Sequence, residues 1–114
     1  MIAFEKMHGN GNDFVVIDAL TSNIAFSKAL VKRMAHRKLG VGFDQLIVIY
    51  PPKKKQDDFF IKFFNADGSQ AGMCMNGLRC VAYFIWENKL ATKKVLNLGT
   101  KTKGIKAKLL KNYM

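Results

Sequence analysis

Phe64-Asn-Ala-Asp-Gly-Ser-Gln-Ala-Gly-Met-Cys74-Met-Asn-Gly-Leu-Arg-Cys80 is the stretch on which the fold of this chain turns. Small and polar residues give way within it to an unbroken apolar run. From Leu78 the sequence reads Leu-Arg-Cys-Val-Ala-Tyr-Phe-Ile-Trp, with no glycine or proline to interrupt a helix. A helix apolar on nearly every side is expected to be buried all round. The flanking Gly72, Asn76 and Gly77 are poor helix-interior residues, so the change from loop to helix falls at Cys74. A thiol there sits among unpaired backbone N–H groups at the positive end of the helix dipole, where a thiolate is favoured. The same N–H groups are suited to a carboxylate. A basic sulfur beside a carboxylate site is the arrangement that proton abstraction from the α-carbon of an amino acid requires.

Around this stretch the chain divides into short strands and two helices. Strands are expected over Ile2–Met7 and Phe14–Ile17, on either side of the glycine turn Gly9–Gly11. Ser27 is placed to cap a helix running to about Arg37, with Ala29, Leu30, Met34 and Ala35 on its apolar face. A glycine-rich turn over Leu39–Phe43 leads into a strand at Leu46–Tyr50. The polar segment Pro51–Asp58 then joins this strand as a hairpin to another at Phe59–Phe64. Asn65–Met73 reads as a loop, the buried helix ends near Asn88, and strands near Val95–Leu98 and Ile105–Leu110 follow. Strands dominate, and one helix is expected to lie wrapped by sheet.

Composition sets outer bounds. The 114 residues, 49% of them hydrophobic, are one domain's worth and can bury a modest core. No run approaches the roughly 20 apolar residues of a membrane helix. The first residues lack the apolar centre of a signal peptide, and two cysteines six residues apart make a poor disulfide framework. Reduced thiols and a cytoplasmic location are the expectation.

The formal charge of +11 is a property of the tail, because residues 88–114 hold eight lysines and no acid. In that tail Ile105, Ala107 and Leu109 alternate with Lys106 and Lys108, the pattern of a strand with one wet face. Without an arginine cluster or interleaved aromatics to stack bases, a solvated lysine face is favoured over a nucleic-acid site.

Three motifs in order resemble the diaminopimelate epimerase family. They are Lys6-Met-His-Gly-Asn-Gly-Asn-Asp-Phe14, Leu39-Gly-Val-Gly-Phe-Asp-Gln45, and the Asn65-Ala-Asp-Gly-Ser loop followed by Met73-Cys74, Asn76-Gly77 and Arg79-Cys80. The resemblance runs from Met1 to about Lys94 and covers only the N-terminal half of such an enzyme, which normally has two similar domains facing each other. It implies an α+β fold in which a mixed sheet curls around a central buried helix. The expected organisation is a single N-terminal epimerase-type domain over residues 1–114, with the C-terminal catalytic domain absent.

The resemblance also implies an activity. It is the cofactor-free interconversion of L,L- and meso-diaminopimelate by two thiols, one on each face of the reacting carbon, for lysine and peptidoglycan precursor synthesis. Cys74 corresponds to one catalytic acid/base. Asn12, Gln45 and Asn65 are implied to contact the diaminopimelate substrate, and the backbone N–H groups of Met75 and Asn76 to bind its reacting carboxylate. No cofactor, metal, nucleic acid or membrane is implied. The full-length family forms homodimers, and this chain would pair with the missing second domain. Uncharged amides suit such a site, since they donate and accept without fixing a charge beside a thiolate.

Other readings are weaker. Cys80 lies about 9 Å along the helix from Cys74 and about 240° around it, so it cannot face Cys74 across one carbon and reads as core. His8 and His36 form no ligand cluster, and His8 reads as structural. Gly9-Asn-Gly-Asn-Asp-Phe14 lacks the third glycine and the helix of a dinucleotide loop. The chain also departs from the family pattern. Met75 stands where glycine follows the cysteine, which is expected to crowd the carboxylate or strain φ. Asn10 replaces an apolar residue, Leu78 a small one, and Gln70 stands where an acid is common. A proline racemase-like isomerase, or a truncated non-catalytic domain that binds a partner or itself, are the alternatives.

Overall fold

The computed structural model describes residues 4–9, 11–22 and 24–109. The elements run β1 (Phe4–Gly9), β2 (Asn12–Asp18), α1 (Lys28–Ala35), β3 (Gln45–Tyr50), β4 (Phe59–Asn65), β5 (Gln70–Ala71), α2 (Met75–Glu87), β6 (Val95–Gly99) and β7 (Gly104–Lys108). The strands form one mixed sheet in the order β1-β2-β3-β4-β6-β7, with β5 beside β4. The pairs β2–β3 and β4–β6 are parallel and the rest antiparallel. Each parallel pair needs a crossover, and the two helices supply them.

Strand periodicity separates the two faces. Phe14, Val16, Ile47, Ile49, Phe59, Ile61, Phe63, Leu96 and Leu98 point to α2 and pack with its Leu78, Val81, Phe84 and Ile85. Ile105 and Ala107 of β7 and Met7 of β1 join the same cluster, so α2 touches the sheet from one edge strand to the other. This is the mixed sheet curled around a central helix that the sequence led us to expect. Burying a side chain such as Ile85 completely contributes about 1.5–3 kcal/mol. On the opposite face Val15, Ile17, Leu46, Val48 and Phe64 pack with Val31 and Ala35 of α1.

Several expectations need correction. α2 is not buried all round: Met75 and Arg79 are exposed and Tyr83 half-buried, forming an i, i+4, i+8 stripe between the two sheet edges. The charged Arg79 makes one wet side necessary. In α1 the buried positions are Val31 and Ala35, while Ala29 is exposed, and the helix stops at Ala35 rather than Arg37. The segment Asn65–Met73 is not all loop, since Gln70 and Ala71 pair with Phe64 and Phe63. The expected strand ends at Ile2 and Leu110, and the departure at Asn10, lie outside the described residues.

Candidate active site

Cys74 is the N-cap of α2, with extended backbone (φ −132°, ψ 117°). Its carbonyl accepts the Leu78 N–H at 2.9 Å, and its Sγ accepts the Gly77 N–H at 3.5 Å. The first turn of a helix leaves four N–H groups without intrahelical partners. Here Sγ occupies that of Gly77, and among the described residues nothing takes up those of Met75 and Asn76. The half-buried Cys74 therefore lies next to two free donors at the positive end of the helix dipole, a combination suited to a carboxylate.

Gly77 lets this turn approach the sheet. A Cβ there would stand 2.9 Å from Ile47 Cδ1 and 3.1 Å from Phe63. Both residues belong to paired positions of β3 and β4, one period short of the pair Gln45 and Asn65. The two-residue period of a strand thus puts Gln45 and Asn65 on the α2 face, at the end of the sheet where α2 begins. Phe14 lies opposite Gln45, and Asn12, two residues earlier in β2, shares that face and that end. Gln45 Nε2 donates to Asn65 Oδ1 at 3.3 Å, and Asn65 Nδ2 donates to Ser69 Oγ at 3.1 Å. Ser69 in turn donates from both its N–H and its hydroxyl to Asp67, at 2.8 and 2.6 Å. These bonds hold the Asp67 carboxyl below the usual carboxylate range and orient the amides as a chain. The turn closes because Gly68 adopts φ +90°, where an added Cβ would lie 2.4 Å from the Lys28 carbonyl oxygen.

A second arrangement behind the amides went unrecognised in the sequence. Asp13 and Asp44 stand next to Asn12 and Gln45 at the starts of the parallel strands β2 and β3. The Asp13 N–H donates to Asp44 Oδ2 at 2.8 Å, and the Asp44 N–H donates to the Asp13 carbonyl at 2.9 Å. Arg37, just past α1, donates to both carboxylates, at 2.7 and 3.1 Å. The Arg37 guanidinium, with help from His8, holds the Asp13 carboxyl below its ordinary range. The clamp fixes the relative position of the two strand starts, and with it that of Asn12 and Gln45. The acids inside Gly-Asn-Asp-Phe and Gly-Phe-Asp-Gln are its trace in the sequence.

The remaining residues fall out as follows. Cys80 is 7% exposed, packed beneath Gly9, whose added Cβ would lie 3.3 Å from its Sγ. Burial, and to a lesser extent Cys74, pushes its thiol pKa up. His8 is a surface residue, 73% exposed, paired through Nδ1 with Asp13. Met75 occupies the first helical position without the expected strain. Among the described non-glycine residues only Lys89 has a positive φ, and the Met75 side chain is 52% exposed. No cluster of three or more His, Cys, Asp or Glu side chains able to hold a metal occurs among the described residues. No helix there is long and apolar enough to cross a membrane.

Comparison with known proteins bears on this arrangement. The profile of the family described as diaminopimelate epimerase matches residues 4–112. A hydroxyproline epimerase from Agrobacterium vitis, solved with bound trans-4-hydroxy-L-proline, superposes with a TM-score of 0.74 at 13% identity, over 96% of this chain and 38% of that one. A methylitaconate-delta-isomerase gives 0.69 at 14% identity, over 96% and 60%. A phenazine biosynthesis protein of the PhzF family from Bacillus anthracis gives 0.66 at 20% identity, over 94% and 34%. At such identities the likeness is one of fold. The chain spans only 34% to 60% of the length of these three structures.

Proposed function

The chain belongs to the diaminopimelate epimerase family, and from that premise we propose that it forms the half of an amino-acid epimerase that carries one acid/base, Cys74. The observation that carries this reading is the first turn of α2, where a half-buried thiol lies next to two N–H donors with no partner among the described residues. A substrate α-carboxylate accepts from the N–H groups of Met75 and Asn76. Cys74 as thiolate then takes the α-proton, forming an S–H bond as the C–H electron pair moves toward the carboxylate. Asn12, Gln45 and Asn65 hold the distal amino and carboxylate groups of diaminopimelate by neutral hydrogen bonds.

Inversion needs a second base to return a proton to the opposite face. Cys80 does not meet that need, because it is buried about one and two-thirds turns along the same helix and its thiol is pushed toward the neutral form. The second base is proposed to come from a further domain or chain, which would rest on the open stripe of α2. The reaction belongs to the cytoplasm, where thiols stay reduced.

The test combines two readouts on the purified chain in heavy water. L,L-Diaminopimelate is expected to shift the amide resonances of residues 74–76 and to exchange its α-proton at a rate that Cys74→Ala abolishes. The proposal fails if the substrate moves none of those resonances, or if exchange survives the substitution.

A further inference from the structure

On the face of the sheet opposite α2, α1 covers β2 and β3 but leaves the far part of β4 open. A cleft of about 450 Å³ lies there, between the β3–β4 loop, β4 and the β6–β7 turn. Five lysines line it: Lys53 and Lys54 from the loop, Lys62 from the middle of β4, and Lys101 and Lys103 from the turn. Residues as far apart in the chain as Lys53 and Lys103 are thus gathered at one concavity. Asp57 is the sole carboxylate in the lining, and it lies against the turn, with Oδ2 2.4 Å from where a Gly99 Cβ would stand. The neighbouring Asp58 is already engaged by Lys93 at 2.8 Å and by the Asn97 N–H. Among the described residues no ion pair reaches any of the five lysines. Two are held by aromatic rings instead: Lys53 Nζ lies 4.3 Å from the Phe60 ring centre and Lys62 Nζ 5.5 Å from that of Tyr50. Such contacts orient an ammonium group without neutralising it.

Like charges converging on a concavity repel one another and focus a positive potential into it. We propose that this cleft binds a small polyvalent anion, a compound carrying two or more phosphate groups. A multiply charged ligand relieves the mutual repulsion of several lysines at once, which a single carboxylate cannot do. The volume suits a small ligand. The lysines meet from three segments rather than tracking along a groove, and Phe60 is too deeply buried to stack a base, so a nucleic-acid strand is the poorer fit. The site lies on the far side of the sheet from Cys74 and uses none of its residues.

Calorimetric titration with inorganic triphosphate, at about 0.15 M salt where surface charges are screened beyond about 8 Å, tests the proposal. Triphosphate is expected to bind more tightly than monophosphate and to shift amide resonances in residues 53–62 and 99–104 but not in 74–76. The double variant Lys53→Gln/Lys103→Gln should weaken binding about tenfold or more. Lys32→Gln/Lys38→Gln, an equal loss of charge on and just after α1, should leave it unchanged. Equal weakening by both variants would show nonspecific attraction and overturn the proposal. So would absence of binding, or tighter binding of a short single-stranded oligonucleotide through the same lysines.

Discussion

Two cysteines six residues apart on one helix have opposite surroundings, and chemistry follows from the surroundings. Cys74 caps the helix and is half-buried, whereas Cys80 is sealed beneath Gly9 with its thiol pushed up by burial. Iodoacetamide at neutral pH should therefore modify Cys74 first and Cys80 only as the chain opens, which peptide mass mapping reads directly. In the exchange assay, Cys74→Ala should abolish activity and Cys80→Ala should leave most of it. Equal loss from both substitutions would sink the division of roles. The position of Cys74 was legible because the change from small polar residues to an apolar run marks a helix start in any context. The ease with which Met75 sits there was not, since strain depends on a φ angle that sequence does not display. Helical backbone at Met75 removes the expected strain in φ.

Among the elements, α2 comes close to the sheet at Gly77. Gly77→Ala would press a methyl group against Ile47 and Phe63, an overpacking that typically costs about 1–3 kcal/mol. Ile85→Ala, at a fully buried position, should cost about 2–5 kcal/mol. Denaturant titration measures both, and Gly77→Ala should in addition move the amide resonances of residues 74–76. The Arg37 clamp acts differently. Arg37→Ala should leave the midpoint of unfolding nearly unchanged, because the pairs are exposed. It should weaken diaminopimelate binding, because Asn12 and Gln45 lose their fixed spacing. Most elements could be read from apolar periodicity and turn residues, including Ser27 as the cap of α1, whose Oγ accepts the Leu30 N–H at 3.1 Å. The two-residue strand β5 was missed because a bridge so short leaves no periodicity. The convergence of Asn12, Gln45 and Asn65 needed the strand register, which no local pattern contains.

For the molecule as a whole, three carboxylates are held low, and the partly buried Asp58 bears most on the response to acid. Asp13 is held low by Arg37 and Asp67 by Ser69. Burial raises Asp58, but Lys93 and the Asn97 N–H more than offset it. A carboxyl whose pKa is lower in the folded than in the unfolded state stabilises the fold above its unfolded value, near pH 4. That stabilisation is lost as pH falls through the depressed folded value. Thermal unfolding should therefore be insensitive to these groups from pH 5 to 7 and fall modestly below about pH 4, with most of the loss from Asp58. Asp58→Asn should flatten the acid limb.

The two parallel pairings carry a consequence for how the chain reaches this state. In the chain α2 lies between the parallel partners β4 and β6, and Leu96 and Leu98 of β6 close over that helix. Until residues 95–108 are available, a nascent chain holds its most apolar helix against an unfinished wall. Such long-range closure slows folding relative to helical bundles of equal length. Leu96→Ala should act mainly on the unfolding rate, the outcome for a wall that closes after the rate-limiting step, whereas an equal slowing of folding would show that it closes earlier.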